Sequence, residues 1–260
     1  MVNLLGAVPA GSPGCAEAVL DWSPAGEGLV PRPVVHPLRT PSGHLLTGAR
    51  PADHPWHHGL GLGLPDVDGV NLWGGPSYVH PEGYLEARTR RGSVRAAGTG
   101  ADAHEDLTWC DDEGAPLLRE RRTVACTASG SGLSLRWRSV LTAARDLRLA
   151  SPEANGRGGA GYGGLFWRLP AGLGADDLEV RCPHGVGEDL ANGCTGAWLE
   201  IEHRGRWQAR LEPDGDGTGP WFVRVSDYAG VGVSLAAPRA RWLAAGESVE
   251  CALALDVSEV

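Results

Sequence analysis

The feature that most constrains this chain is a two-residue alternation of apolar and polar side chains that recurs along its length. Leu133, Leu135, Trp137, Ser139 and Leu141 fall on one side of a run whose other side carries Ser134, Arg136 and Arg138. An extended strand, with side chains pointing alternately up and down, puts such a set on one face. Similar runs cover Arg121 to Thr127, Trp198 to His203, Trp207 to Leu211, Trp221 to Val225, Val231 to Leu235 and Val249 to Val257. Turn residues separate them: Ser129-Gly130-Ser131-Gly132, Asn192-Gly193, Asp214-Gly215-Asp216-Gly217 and Ala245-Gly246. No apolar stripe of helical period lasts ten residues, so helices should be short and few. The pattern predicts an all-β protein, a large antiparallel β-sandwich. With no linker or internal repeat, residues 1–260 read as one domain.

Composition then excludes several function classes. All 23 basic residues are arginine, a bias expected of a GC-rich, actinobacterial-type genome. The missing lysine removes Schiff-base chemistry and a P-loop. A net charge of −9 without a basic run argues against a nucleic-acid partner. No apolar stretch approaches the roughly 20 residues that cross a bilayer, so no membrane partner is expected. Met1 to Leu5 lacks the features of a secretory signal, and Gly11-Ser12-Pro13-Gly14 before Cys15 fits a lipoprotein cleavage site poorly. The expected compartment is the cytoplasm. Six scattered cysteines (15, 110, 126, 182, 194 and 251) form no C-x-x-C pair and read as buried free thiols.

Chemistry concentrates between residues 31 and 84. Thr40-Pro41-Ser42-Gly43 reads as a hairpin turn between Val34 to Leu38 and His44 to Thr47. Asp53-His54-Pro55-Trp56-His57-His58-Gly59 and Asn71-Leu72-Trp73-Gly74-Gly75 follow. Five of the nine histidines (36, 44, 54, 57 and 58) fall within 23 residues of it. Imidazole is the usual side chain for proton transfer near neutral pH and for metal ligation. Three readings are open. The rings can hydrogen-bond locally in a rigid loop. They can ligate a divalent metal: in an extended segment His54 and His58 share a face, His57 and Asp53 point away, and His36 on a neighbouring strand completes the set. Or they can serve as acid, base or donor in a sugar pocket beside Trp56 and Trp73, whose indoles suit the apolar faces of sugar rings.

Elsewhere the signals are weaker. Gly159-Ala160-Gly161-Tyr162-Gly163-Gly164 matches G-x-G-x-x-G formally, but Pro170 follows too soon for the helix that a dinucleotide site requires. A glycine loop that admits a ligand beside Tyr162 and Arg168 fits better. Glu120, Glu200 and Glu202 are candidate acids or bases on strands.

Pro33 to Thr40, Arg50 to Gly59, Asn71 to Gly74 and Gly161 to Arg168 together resemble the bacterial family labelled "methane oxygenase PmoA", from about residue 20 to the end. That family's central motif reads D-H-x-H-H-R-G, followed later by F-W. Here Trp56 stands at the first histidine of its pair and His58 at the arginine, leaving His54 and His57 as the matches. The label is not a function, because methane monooxygenase subunits are membrane proteins. The family is similar to galactose mutarotase-like supersandwich proteins, and Ala245 to Val249 resembles that group's closing strand. The resemblance implies a carbohydrate or carbohydrate-like ligand.

The expectation is an enzyme acting on a sugar, glycoside or glycosylated natural product, of epimerase, lyase or hydrolase type. His54, His57 and His36 are its catalytic candidates. Trp56, His58, Asn71, Trp73, Tyr162, Arg168 and Glu120 are its substrate-binding candidates. No metal ligand is assigned, and a divalent metal and a homodimer are left open. The alternative is a non-catalytic protein that holds the same small molecule.

Overall fold

The computed structural model describes residues 1–5, 15–99, 104–215 and 219–260. In it the alternating runs become strands of two large sheets. Among the described residues, the first sheet has eleven strands. Its main path runs Val2–Asn3, Glu17–Trp22, Pro33–Arg39, Leu60–Val67, Gly164–Arg168, Gly230–Ser234 and Trp221–Arg224. The second has nine, in the order Gly185–Val186, Leu178–Cys182, Leu199–His203, Trp207–Asp214, Ser248–Glu259, Gly132–Ala143, Pro116–Ser129, His104–Cys110 and Ser93–Thr99. Pairing in these paths is antiparallel; the one parallel pair among the described residues joins Val70–Leu72 to Arg90–Arg91 off the first path. The helices described are one α turn, Glu188–Ala191, and one 3₁₀ turn, Glu86–Arg88. No helix described is long and apolar enough to cross a membrane. The residues before Cys15, Gly11 to Gly14, and the end of the Asp214 turn, Asp216 and Gly217, lie outside the described residues.

The sheets meet face to face. Leu62, Leu165, Trp167, Val231 and Val233 of the first share one buried core with Leu135, Trp137, Trp207, Leu211 and Leu255 of the second. Trp167 and Trp207 touch across it, with ring centroids 6.1 Å apart. Cys110, Cys126, Cys182, Cys194 and Cys251 are buried free thiols, and Cys15 is half-buried.

Strand alternation also builds the floor of the site. Leu165 and Trp167 face the core while Phe166 and Arg168 face the other side of the first sheet. There Phe166, Trp73 and Phe222 form a separate buried cluster, with Trp56, Tyr162 and Tyr228 packed against it. Glycines on the neighbouring strands make room for it. A methyl group on Gly63 would lie 2.7 Å from the Trp73 ring, and one on Gly230 would lie 2.6 Å from that of Phe166. Bulkier residues at these positions would lift the aromatic layer off the sheet.

Glu120 stands far from this layer. It points inward from the Pro116–Ser129 strand of the second sheet and is 2% exposed. Its carboxylate accepts hydrogen bonds from Trp109 Nε1 (2.8 Å), Ser139 Oγ (2.5 Å), and Arg122 Nε and Nη2 (2.8 Å each). The Arg122 guanidinium lies 4.7 Å from the centroid of the Trp137 ring. The expectation that Glu120 binds substrate is therefore corrected: its bonds are spent neutralising a buried arginine. Removing one member of such a pair strands the other charge away from water. Glu120→Ala should cost about 3–5 kcal/mol of unfolding free energy, measured by urea denaturation. A loss below about 1 kcal/mol, the range of an exposed ion pair, would mean that Arg122 is not held this way.

Candidate functional site

The loop from Gly48 to Gly59 carries the histidine motif. It is closed at its neck, where Gly59 N–H donates to Gly48 O (2.8 Å), and it is stitched to the central strand through Arg168. Gly48 N–H donates to Arg168 O (2.8 Å), and Arg168 N–H donates to Gly59 O (2.9 Å). The close approach demands glycine. A methyl on Gly48 would sit 2.3 Å from Leu169 O, and one on Gly59, at φ +60°, would sit 2.4 Å from Val35 O.

Within the loop the chain makes two successive turns, with His54 N–H donating to Pro51 O (3.1 Å) and His57 N–H to His54 O (2.9 Å). The segment is therefore not extended, the geometry on which the pairing of His54 with His58 depended. A turn brings residues three apart together, so His54 and His57 stack at 4.7 Å with their planes 11° apart. His58 instead turns to His36, edge to face at 4.9 Å, while His36 Nδ1 bonds Thr47 Oγ1 at 2.9 Å. The histidines thus divide into two pairs. Among the described residues no three His, Cys, Asp or Glu side chains converge on a common point, so His36, His54 and His58, the set of the metal reading left open above, do not come together.

His54 and His57 line a cavity of about 460 Å³ with Trp56, Trp73, Pro76, Tyr84, Arg157, Tyr162, Phe222, Arg224, Asp227 and Tyr228. The volume suits a small molecule of one or two rings. Trp56 covers the glycine pair after Trp73; a methyl on Gly75 would meet its indole at 2.6 Å. Asn71 sits beneath. Its Oδ1 accepts from Trp73 N–H and Gly74 N–H (2.8 Å each), so it positions the tryptophan rather than lining the cavity. Arg168 also lies behind the wall, 4% exposed. Its Nη1 is 3.5 Å from His57 Nδ1, its Nη2 3.5 Å from Asp53 Oδ2, and its guanidinium lies 4.6 Å from the Tyr228 ring centroid. His36 and His58 lie outside the lining. Another concavity, about 390 Å³, lies among Ser134, Glu200, Arg210 and Asp256 of the second sheet. Its charges are already matched by the pairs Arg210–Glu200 (2.8 Å) and Arg136–Asp256 (2.9 Å). Glu202 is paired with Arg181 at 2.8 Å.

The two cavity histidines have different electrostatics. Asp53 accepts a hydrogen bond from His54 Nδ1 at 2.7 Å. Burial works to raise the Asp53 pKa, but the His54 bond, a backbone bond and Arg168 outweigh it and hold the carboxyl below its ordinary value. The anion fixes the His54 proton on Nδ1 and leaves the Nε2 lone pair free. His57 is 3% exposed, and burial, then His54, Arg168 and Arg32, hold it well below the usual imidazole range. A guanidinium can only donate, so His57 Nδ1 accepts and its proton sits on Nε2. Burial also raises the phenols of Tyr228, to about 12, and of Tyr162, keeping both as O–H groups.

Residues 20–259 match a family of unknown function, DUF6807. The chain belongs to this family. The description of this family carries no methane-oxygenase label. No curated protein sequence matches the chain. Among solved structures, a protein of Escherichia coli K12 provisionally assigned as an aldose 1-epimerase aligns at 10% identity and a TM-score of 0.47. The alignment covers 93% of this chain and all of that one. A galactose mutarotase related enzyme of Lactobacillus acidophilus aligns at 8% identity and 0.44, over 93% and 97% of the two chains. A polysaccharide lyase aligns at 10% and 0.37, over 93% of this chain and 32% of its own. Likeness at this level carries no site chemistry from one chain to another, so the cavity has to be read from its own residues.

Sequence reasoning missed Asp53 as a partner, and missed Tyr84, Arg157, Phe222, Arg224, Asp227 and Tyr228 altogether. Phe222 had a readable signal: Trp221-Phe222-Val223 is apolar on both faces, as is Leu165-Phe166-Trp167, so both strands need cover on both sides.

The buried imidazoles set a pH dependence. Unfolded, each binds a proton near pH 6.5; folded, His57 is held far lower and His58 at about 4, by burial and then by His36, Arg32 and Arg50. The unfolded state therefore binds more protons below pH 6.5, and stability falls as pH drops from 6.5 toward 4. Urea midpoints should fall across that window, and His58→Gln should flatten the fall. An identical slope in wild type and variant would show that His58 is protonated in the fold.

Proposed function

We propose that the cavity binds a carbohydrate-type small molecule and that the protein catalyses proton transfer on it, with His54 as the acid–base group. The observation that carries this is the Asp53–His54 hydrogen bond of 2.7 Å at a cavity lined by Trp56, Trp73, Tyr162 and Tyr228. Indole and phenol faces suit the C–H face of a sugar ring, and the phenol hydroxyls and His57 Nε2–H suit its oxygens. Asp53 orients His54 and stabilises the imidazolium formed when Nε2 takes a proton from a hydroxyl or an activated carbon. Arg168 holds His57 as a neutral donor, able to polarise a substrate oxygen without competing for the proton. Asp227 is the one carboxylate in the lining and supplies the second proton-transfer group. Epimerisation and elimination begin with such a step; in hydrolysis one of the two groups protonates the leaving oxygen and the other takes the proton of the attacking water. His36 and Glu120 have no part in it.

The test is incubation of a panel of sugars, glycosides and oxidised sugars with the protein in D₂O, followed by NMR for deuterium incorporation, epimerisation or bond cleavage. We expect one class to react, and His54→Gln to slow it at least about a hundredfold, the usual contribution of a general acid–base group. His57→Gln should act chiefly on the rate rather than on binding. Ligands that bind the wild type without any reaction would favour the non-catalytic reading. Undiminished turnover in folded His54→Gln would remove His54 from the mechanism.

A further inference from the structure

The chain as a whole carries a net charge of −9, yet its cavity is lined by two arginines and one carboxylate, Asp227. Both arginines are held in place. Arg157 donates through Nη1 to the Tyr84 hydroxyl and lies 4.6 Å from the centroid of that ring. The Tyr84 hydroxyl is in turn 3.1 Å from that of Tyr162. Arg224 donates to Gly159 O (2.6 Å) and Val223 O (2.7 Å) and lies 4.9 Å from the Phe222 ring centroid.

Neither cation is neutralised in a close pair. Among the described residues no carboxylate forms an ion pair with Arg157. The nearest to Arg224 is Glu188, at 3.7 Å. It faces Arg224 through Oε1, beyond hydrogen-bond distance, while its Oε2 accepts from Val225 N–H, Ser226 N–H and the Ser226 hydroxyl at 2.7 to 2.9 Å. Glu153, the acid of the adjoining loop, turns toward Gly159 N–H at 3.3 Å. By contrast, most of the chain's other arginines are in close carboxylate pairs, such as Arg90–Asp112 at 2.6 Å and Arg138–Glu250 at 2.5 Å. Arginines held by rings and carbonyls, with N–H groups left over at a concave aromatic site, are arranged to meet an anion.

Building on the carbohydrate reading above, we infer that the ligand is a sugar bearing an anionic substituent, a carboxylate or a phosphate ester, which Arg157 and Arg224 bind at the cavity wall. The aromatic faces take the ring, the two guanidinium groups take the charge, and His54 faces the reacting atoms. The local positive field also draws such a ligand toward a protein whose overall charge would repel it.

Binding of matched pairs is the test: glucose with glucuronate and with glucose 6-phosphate, and galactose with galacturonate, by isothermal titration or ligand-observed NMR. The anionic member should bind about tenfold or more tightly at low salt, and the ratio should shrink as exposed charge is screened toward about 0.3 M salt. Whichever anion gains more identifies the substituent. Arg157→Gln and Arg224→Gln should each bring the ratio toward one. If Arg224→Gln fails to fold, the exposed Arg157 variant and the wild-type salt dependence carry the test. Sugars that bind with no preference for the anion would overturn this inference and leave the carbohydrate reading standing. So would a preference that survives both substitutions. Arginine-dependent binding of acetate or inorganic phosphate, with no sugar of either kind bound, would overturn the carbohydrate reading and with it the ligand class. Binding of none of these would overturn both.

Discussion

Arg168 sits where the central strand of the first sheet meets the histidine loop, and it works through both its backbone and its side chain. Its N–H and C=O close the ladder on Gly59 and Gly48, fixing the neck of the loop. Its guanidinium reaches past that neck to Asp53, His57 and Tyr228, three residues that the chain supplies from two distant segments. Burial lowers the Arg168 pKa, while Asp53 and Tyr228 act to raise it. Guanidinium stays protonated in such settings, so the arginine remains a fixed donor behind the wall. That fixed charge discourages His57 from taking a proton, helps keep Asp53 ionised, and through Asp53 determines which nitrogen of His54 is free.

The aromatic layer depends on the same strand. Phe166 alternates with Trp167 and Leu165, so one strand serves the sandwich core on one face and the cavity on the other. The neighbouring strands give up side chains to make this work. Leu62-Gly63-Leu64 and Gly230-Val231-Gly232-Val233 present leucine or valine to the core and glycine to the Trp73 and Phe166 rings. The site is thus a second, smaller hydrophobic assembly on the outer face of a sheet. Its polar groups enter from three loop segments, Asp53 to His57, Arg157 to Tyr162 and Asp227 to Tyr228, and from two strand residues, Tyr84 of Gly83–Leu85 and Arg224 of Trp221–Arg224.

Much of this was legible in the sequence. Period-two alternation marked the strands, because one buried face imposes it, and the histidine cluster with Trp56 and Trp73 marked the right loop. What failed to show was geometry set by turns. An extended chain would have placed His54 with His58; two successive turns pair His54 with His57 and send His58 to His36. The same turns bring Asp53 onto its own neighbour. Glu120 read like a free strand carboxylate because period-two patterns do not reveal that an inward-facing arginine stands two residues along. Arg157, Arg224 and Tyr228 were invisible for a different reason: they meet His54 only through the order in which strands join the sheet.

The central claim is that two stacked imidazoles in one cavity hold opposite tautomers, His54 with its proton toward Asp53 and His57 with its proton toward the cavity. Long-range ¹H–¹⁵N correlation spectra of ¹⁵N-histidine-labelled protein report tautomer and charge directly, with single His→Gln variants to assign the signals. The account predicts that His57 remains neutral and protonated on Nε2 from pH 8 down to pH 5, and that neutral His54 carries its proton on Nδ1. A His57 that becomes charged near pH 6.5, or that carries its proton on Nδ1, would contradict it.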